Sequence, residues 1–171
     1  MKIAVGADHA GYVYKDRIAA DLRRAGHDVL DFGTHSDVAV DYPPYAYAVG
    51  LAVASGRAER GIVVCGSSIG VSIAANKVPG VRCAVATEPY ACELSRRHND
   101  ANVLALSERL VGWEMVVRLV EIFLGTPFDG GRHAHRVAQL EFTDAERAKA
   151  EQALALGVVT GAQTPKELLP T

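Results

Sequence analysis

At 171 residues the chain is long enough for one domain with a sizeable core plus an appendage, and too short for two domains of ordinary size. Hydrophobic residues at 49% and charged residues at 22% are globular composition, and a formal charge of -2 offers no bulk attraction to nucleic acid or an anionic membrane. The opening MKIAVGADHAG fits neither a signal peptide nor a spanning helix, so a cytoplasmic protein is expected, and three cysteines without CxxC spacing suggest neither a disulfide framework nor a zinc site.

Residues 2–6 read as a strand, and residues 14–25 as a helix with Ile18, Leu22 and Ala25 on one face and Gly26 as its stop. A second strand over 29–32 and a helix over 44–54 follow, then a third strand over 61–64 and a short helix over 71–76. The fourth pair is 81–86 and 89–97, with Pro89 in the helix's first turn, and the fifth is 102–106 and 113–124. The strands are continuous apolar runs rather than alternating ones, as expected of strands covered on both faces. The expected fold is therefore α/β, a three-layer doubly wound, Rossmann-like five-stranded parallel sheet.

After Gly125 come a loop, the basic segment Gly130-Gly131-Arg132-His133-Ala134-His135-Arg136, and an Ala/Glu-rich helix over 144–156 that Thr143 and Glu146 would open with capping-box spacing. Residues 1–143 are expected to form the main domain. Residues 144–171 would be a C-terminal helix and tail, packing on that domain or on a partner subunit.

In open parallel sheets ligands bind beyond the carboxyl ends of the strands, where loops feed helix N-termini. Asp8-His9-Ala10-Gly11, Cys65-Gly66-Ser67-Ser68 and Thr87-Glu88 fall at such ends, and His98-Asn99-Asp100 on the approach to the fifth strand is expected to join them as a polar rim. The loop Cys65-Gly66-Ser67-Ser68-Ile69-Gly70 is no dinucleotide fingerprint or Walker loop, and Val71 denies it the arginine of a thiol phosphatase. Read from the residues alone, Cys65 either closes a buried strand as a small thiol or sits at a helix N-terminus that favours its thiolate as a base. In the second case the neighbouring N–H groups and Ser67 would hold an oxyanion. Arg132 and Arg136, at i and i+4, are either a solvated basic face or a pair clustered around a phosphate. His133 and His135 point apart on a helix and make a poor metal pair.

Asp8-His9-Ala10-Gly11, Asp41-Tyr42-Pro43, Cys65-Gly66-Ser67 with Ile73-Ala74-Ala75-Asn76-Lys77, the run from Ser95 through His98-Asn99-Asp100 to Leu104, and Gly130-Gly131-Arg132-His133 together resemble type B ribose-5-phosphate isomerase. That family also includes allose-6-phosphate and galactose-6-phosphate isomerases. The resemblance spans residue 1 to about residue 137 and stops short of the last thirty or so. It implies aldose–ketose isomerisation of a sugar phosphate through an enediolate, with no metal or other cofactor. By motif position Cys65 would take the C2 proton, Ser67 would assist at the reacting oxygens, and His98 with Asp8 would open the sugar ring. The amides of Gly66 to Gly70 would stabilise the enediolate, Asn99 would hold hydroxyls, and Tyr42 could pack on the sugar. His9, Arg109, Arg132 and Arg136 would bind the phosphate. The resemblance further implies a homodimer or homotetramer whose arginine-bearing segment crosses to the neighbour's site.

The family loop usually carries glycine where this chain has Ser68, and a serine makes positive φ and close backbone approach costlier. Ser68 is therefore expected to alter the C1/C2 pocket and with it the sugar preferred. Where some relatives place a glutamate base this chain has Val71, leaving the cysteine route. Cys83, Cys92 and Trp113 are expected to fill space. Two other readings remain: a sugar-phosphate sensor that has lost turnover, and a thiol hydrolase using Cys65 with His98 as its base.

Overall fold

A computed structural model of the chain describes residues 1–141 together with residues 146, 148, 149, 151 and 152. Strands and helices alternate as β1 (Lys2–Ala7), α1 (Tyr12–Arg24), β2 (Asp28–Asp31), α2 (Pro43–Ala54), β3 (Arg60–Cys65), α3 (Ile69–Ala75), β4 (Cys83–Val85), α4 (Pro89–Arg97), β5 (Val103–Ser107), α5 (Trp113–Gly125) and α6 (Arg132–Ala138). The chain divides into two compact units, Met1–Val137 and Ala138–Thr171. In the second, Glu146, Ala148, Lys149, Glu151 and Gln152 are helical, while the expected cap Thr143 and the tail 157–171 lie outside the described residues.

All five strands are parallel, in the order β2-β1-β3-β5-β4. The sheet is covered on both faces, as the unbroken apolar runs require. Ile3, Val5, Ala7, Ile62, Val64, Leu104 and Leu106 face one way, under Ile18 and Leu22 of α1, Cys92 of α4 and Leu119 and Phe123 of α5. Ala4, Val63, Cys65, Val103 and Ala105 face the other way, under Val49 and Val53 of α2 and Val71 and Ala75 of α3. Each fully buried side chain such as Leu119 or Phe123 contributes about 2–3 kcal/mol of burial. The outer face of α2 and α3 stays apolar, with Tyr47, Leu51, Ile69 and Ile73 exposed.

From β1 the chain winds outward to β2 and then returns to the other side of β1 for β3, so the winding direction reverses between β1 and β3. That reversal is where an open α/β sheet leaves a crevice. Among the departures from expectation, three stand out. β4 shrinks from 81–86 to Cys83–Val85, because Val81 N–H turns back to the Val78 carbonyl and Arg82 N–H goes to the Asn102 side chain. α3 starts at Ile69 rather than residue 71, immediately after Ser68. The third departure concerns His98-Asn99-Asp100. α4 runs back from the end of β4 to the start of β5, and Gly61 N–H bonds the Asn102 carbonyl, so this turn lies at the amino end of the sheet and not on the carboxyl rim.

Candidate active site

Three strand ends build one pocket. Beyond β1, Asp8 is buried and its carboxylate accepts from Ala10 N–H at 3.0 Å, closing a turn that delivers His9. His9 Nδ1 pairs with the Val40 backbone at 3.1 and 3.2 Å, which ties its ring to the loop between β2 and α2. Gly11 lets the first turn of α1 touch β3, since a Cβ there would lie 2.5 Å from the Val64 carbonyl carbon.

Beyond β3, Cys65 is only 5% exposed. The chain enters the left-handed region at Ser68, φ +66°, and the Ser68 N–H donates to Cys65 Sγ at 3.1 Å. The Ser68 hydroxyl donates to its neighbour's carbonyl on Ser67, and the residue is buried. The positive φ that a serine makes costlier is adopted here all the same, and the hydroxyl is occupied by backbone instead of reaching a sugar. Ser67 next to it is exposed. The Tyr42 ring lies across Gly70, where a Cβ would come within 2.6 Å of the ring. Val71 is packed in the core, so no proton acceptor stands at that position.

Beyond β5, Ser107 and Glu108 hold the third loop. The Ser107 hydroxyl donates to the Gly66 carbonyl at 2.6 Å, and Glu108 N–H donates to the Cys65 carbonyl at 3.0 Å. The Glu108 carboxylate accepts from Tyr14 N–H at 3.0 Å, capping α1, which has no side-chain cap of its own. Arg109 then lies over Gly66. Asp8, His9, Tyr42, Cys65, Ser67 and Arg109 thus line a pocket of about 320 Å³, with Gly66 and Gly70 in its wall. It has room for a small ligand.

The remaining expected site residues form a second group at the other end of the sheet. His98 follows the last turn of α4, and its ring stacks on that of His133, 4.2 Å between centroids and 4° between planes. Asp129 accepts from Arg97 at 3.1 and 3.2 Å, which holds its carboxyl below the usual carboxylate range. Burial, then the charges of His98, Arg132 and Arg136, push His133 below the ordinary imidazole value. Arg132 and Arg136 are exposed, one turn apart on α6, with no ion pair to either among the described residues. Asn99, which follows His98, is exposed, and Asp100, φ +46°, bridges Arg82 at 3.0 Å and the buried Arg96 at 2.8 Å. Along β5 alone the two groups stand about 13 Å apart, four strand rises. Within one chain His98 therefore does not serve Cys65 as a base, and the hydrolase reading would need a second copy of the chain to supply one.

Among the described residues, two sets of side chains bring metal-ligand types together, and neither is arranged for an ion. His98 and His133 lie in parallel planes, so one ion cannot sit in both, and Asp129 belongs to Arg97. Asp16, Asp31 and His35 surround the ammonium of fully buried Lys15, which already supplies the positive charge. Burial pushes the thiols of Cys83 and Cys92 up, to about 12 and about 11, leaving both protonated at neutral pH.

A family model described as ribose/galactose isomerase matches residues 3–140. The chain belongs to that family. Within the ribose/galactose isomerases it is 47% identical to ribose-5-phosphate isomerase B of Escherichia coli K12, over 85% of this chain and 98% of that protein. The structure of ribose-5-phosphate isomerase B from Clostridium thermocellum superposes with a TM-score of 0.82 at 48% identity, covering 89% of this chain and 99% of that one. The Mycoplasma genitalium isomerase B, solved with bound ribulose-5-phosphate, gives 0.79 at 35% identity, covering 88% and 97%. Sequence reasoning missed Ser107 and Glu108, whose partners are set by strand register rather than by local spacing. The misplaced His98 turn had a signal: a residue between a helix end and the next parallel strand lies at the sheet's amino end.

Proposed function

We propose that this ribose/galactose isomerase interconverts ribose 5-phosphate and ribulose 5-phosphate with Cys65 as the base. The observation that carries the reading is the placement of the Cys65 thiol at the β1/β3 crevice, in one pocket with Asp8, His9, Ser67 and Arg109. The phosphate occupies the His9 and Arg109 end, and that remote anchoring holds the open-chain sugar against the sulfur. Cys65 takes the proton from C2 and the electron pair moves to the carbonyl oxygen of C1 to give an enediolate; return of the proton to C1, with a proton passing from the C2 hydroxyl to the C1 oxygen, gives the ketose. The amides of Gly66, Ser67 and Gly70, with the Ser67 hydroxyl, stabilise that charge, while the Ser68 amide is given to the sulfur.

Ring opening is assigned to His98 with Asp8, and substrate holding to Asn99, Arg132 and Arg136. The position of His98, Asn99, Arg132 and Arg136 at the far end of the sheet supports a homodimer, or a pair of dimers, in which one subunit's His98–Arg136 group completes its partner's Cys65 pocket. The exposed apolar face of α2 and α3, bordering that pocket through Tyr42 and Gly70, suits such an interface. None of the described helices is long and apolar enough to cross a membrane, and a charged sugar phosphate does not pass a bilayer unaided, which supports a cytoplasmic site of action.

The deciding experiment is NMR of ribose 5-phosphate in D2O with the wild-type chain and with Cys65→Ala. Ketose formation with deuterium uptake by the wild type, and loss of both by more than about 10²-fold in the variant, is the expected result. Isomerisation by Cys65→Ala at the wild-type rate would overturn the assignment of the base. Binding without ketose or exchange in the wild type would overturn the reaction.

A further inference from the structure

Ser107 ends β5 directly opposite Cys65 in the β3–β5 register and is 1% exposed. Its hydroxyl makes two bonds that join different parts of the pocket. It donates to the Gly66 carbonyl at 2.6 Å, on the loop that follows the thiol. It accepts from Leu110 N–H at 3.0 Å, closing the turn that carries Arg109. The Arg109 N–H donates to the same Gly66 carbonyl at 3.3 Å, and its guanidinium group lies along Gly66, where a Cβ would come 3.2 Å from Nε. One oxygen atom therefore connects the loop of the thiol to the turn of the guanidinium.

Resting on the isomerase reading above, we propose that Ser107 is a positioning residue that sets the span between Arg109 and Cys65, so that the site measures the distance from a sugar's phosphate to its reacting carbon. A ligand that touches only one end does not feel this span. A ligand that bridges both does, and a hexose 6-phosphate, one carbon longer than a pentose 5-phosphate, feels it differently.

The test compares wild type with Ser107→Ala, and with Ser107→Cys as a near-isosteric variant that keeps only a weak donor, by three probes. Inorganic phosphate affinity from calorimetry reports the Arg109 end alone. The rate of Cys65 alkylation by iodoacetamide, read by peptide mass, reports the thiol end alone. Ribose 5-phosphate affinity and turnover report both ends together. In Ser107→Ala the first two are expected to stay within about twofold while ribose 5-phosphate binding and kcat/KM fall about tenfold, the effect of one or two ordinary hydrogen bonds acting on alignment. Preference for ribose 5-phosphate over a hexose 6-phosphate falls with them, and Ser107→Cys lies between. An unchanged ratio of ribose 5-phosphate to phosphate affinity would overturn the role of Ser107, as would an equal loss by all three probes, the mark of general loosening. If Ser107→Ala does not fold, the same ratios in Ser107→Cys decide. Wild type that binds ribose 5-phosphate without isomerising it overturns the reaction alone, since the affinity ratios still judge Ser107. Wild type that binds it no better than phosphate overturns both.

Discussion

Ser68 holds a backbone conformation that costs an L-residue about 1–2 kcal/mol, and its side chain recovers only a bond to the adjacent carbonyl. Ser68→Gly is therefore expected to raise stability by about 0.5–1 kcal/mol after glycine's greater unfolded entropy is counted, or about 2 °C in Tm. Isomerisation should persist, because the amide that reaches Cys65 belongs to the backbone. Calorimetry with a parallel activity assay checks both outcomes. His133 offers a pH test. Facing it are His98, Asp129, Arg132 and Arg136, and its folded-state proton affinity is lowered. The unfolded chain then binds more protons below about pH 6.5, so stability is complete above that value and declines as pH falls. Melts at about pH 7.5 and about pH 5.5 should show a larger loss for wild type than for His133→Gln. Asp129, lowered mainly by Arg97, contributes above about pH 4 and loses that contribution in stronger acid, so Asp129→Asn should flatten only that later limb. At this scale the space-filling of Cys83 and Cys92 was legible, because it follows from the residue's own chemistry, whereas the positive φ of Ser68 does not follow from a serine. The work of Ser107 was not legible either, because a serine at a strand end says nothing of which carbonyl the register brings to it.

Helices differ in where they get their caps, and that decided how well they could be read. α4 carries its own: Glu88 accepts from Tyr90 and Ala91 N–H, with Pro89 in the first turn. α1 borrows Glu108 from a loop some ninety residues on, so its start at Tyr12 left no local trace. α3 is set against α2 by Gly70 and Tyr42. Gly70→Ala would favour the helix by up to about 1 kcal/mol but drive a methyl into the ring. We expect net destabilisation that is largely relieved in the double variant with Tyr42→Ala, a coupling that a double-mutant cycle measures. At the other end of the sheet, Asp100→Ala would leave the buried guanidinium of Arg96 short of its counter-charge. A loss of about 2 kcal/mol in urea unfolding is expected, below the range for a fully buried pair because Asp100 is partly exposed. Strands were legible as apolar runs. β4 was overread because Val81 is apolar for the core while its N–H closes a turn.

At the level of the molecule, the two groups of site residues at opposite ends of one sheet lead to a complementation test. Cys65→Ala and Arg132→Ala are each expected to be inactive alone. Unfolded together and refolded as an equal mixture, about half of all dimers would be mixed, each with one site built entirely of wild-type residues. Recovery of about a quarter of wild-type turnover is expected, and no recovery would place both groups in a single-chain site after all. The three-layer architecture was legible because alternation of strand and helix leaves few topologies. Strand order was not, and it matters here, since the pocket draws on β1, β3 and β5 rather than on neighbours in sequence. β5 lies between β3 and β4 although it is the last strand made. A chain still on the ribosome, with β4 emerged and β5 not, has a gap where β5 belongs: the outer edge of β3 is bare and β4 lacks the strand it pairs with. Such half-made chains are vulnerable to pairing with one another. Arrival of residues 103–110 closes that gap and, in the same step, brings Arg109 to Cys65, so the nascent protein stops being sticky at the moment it acquires its pocket.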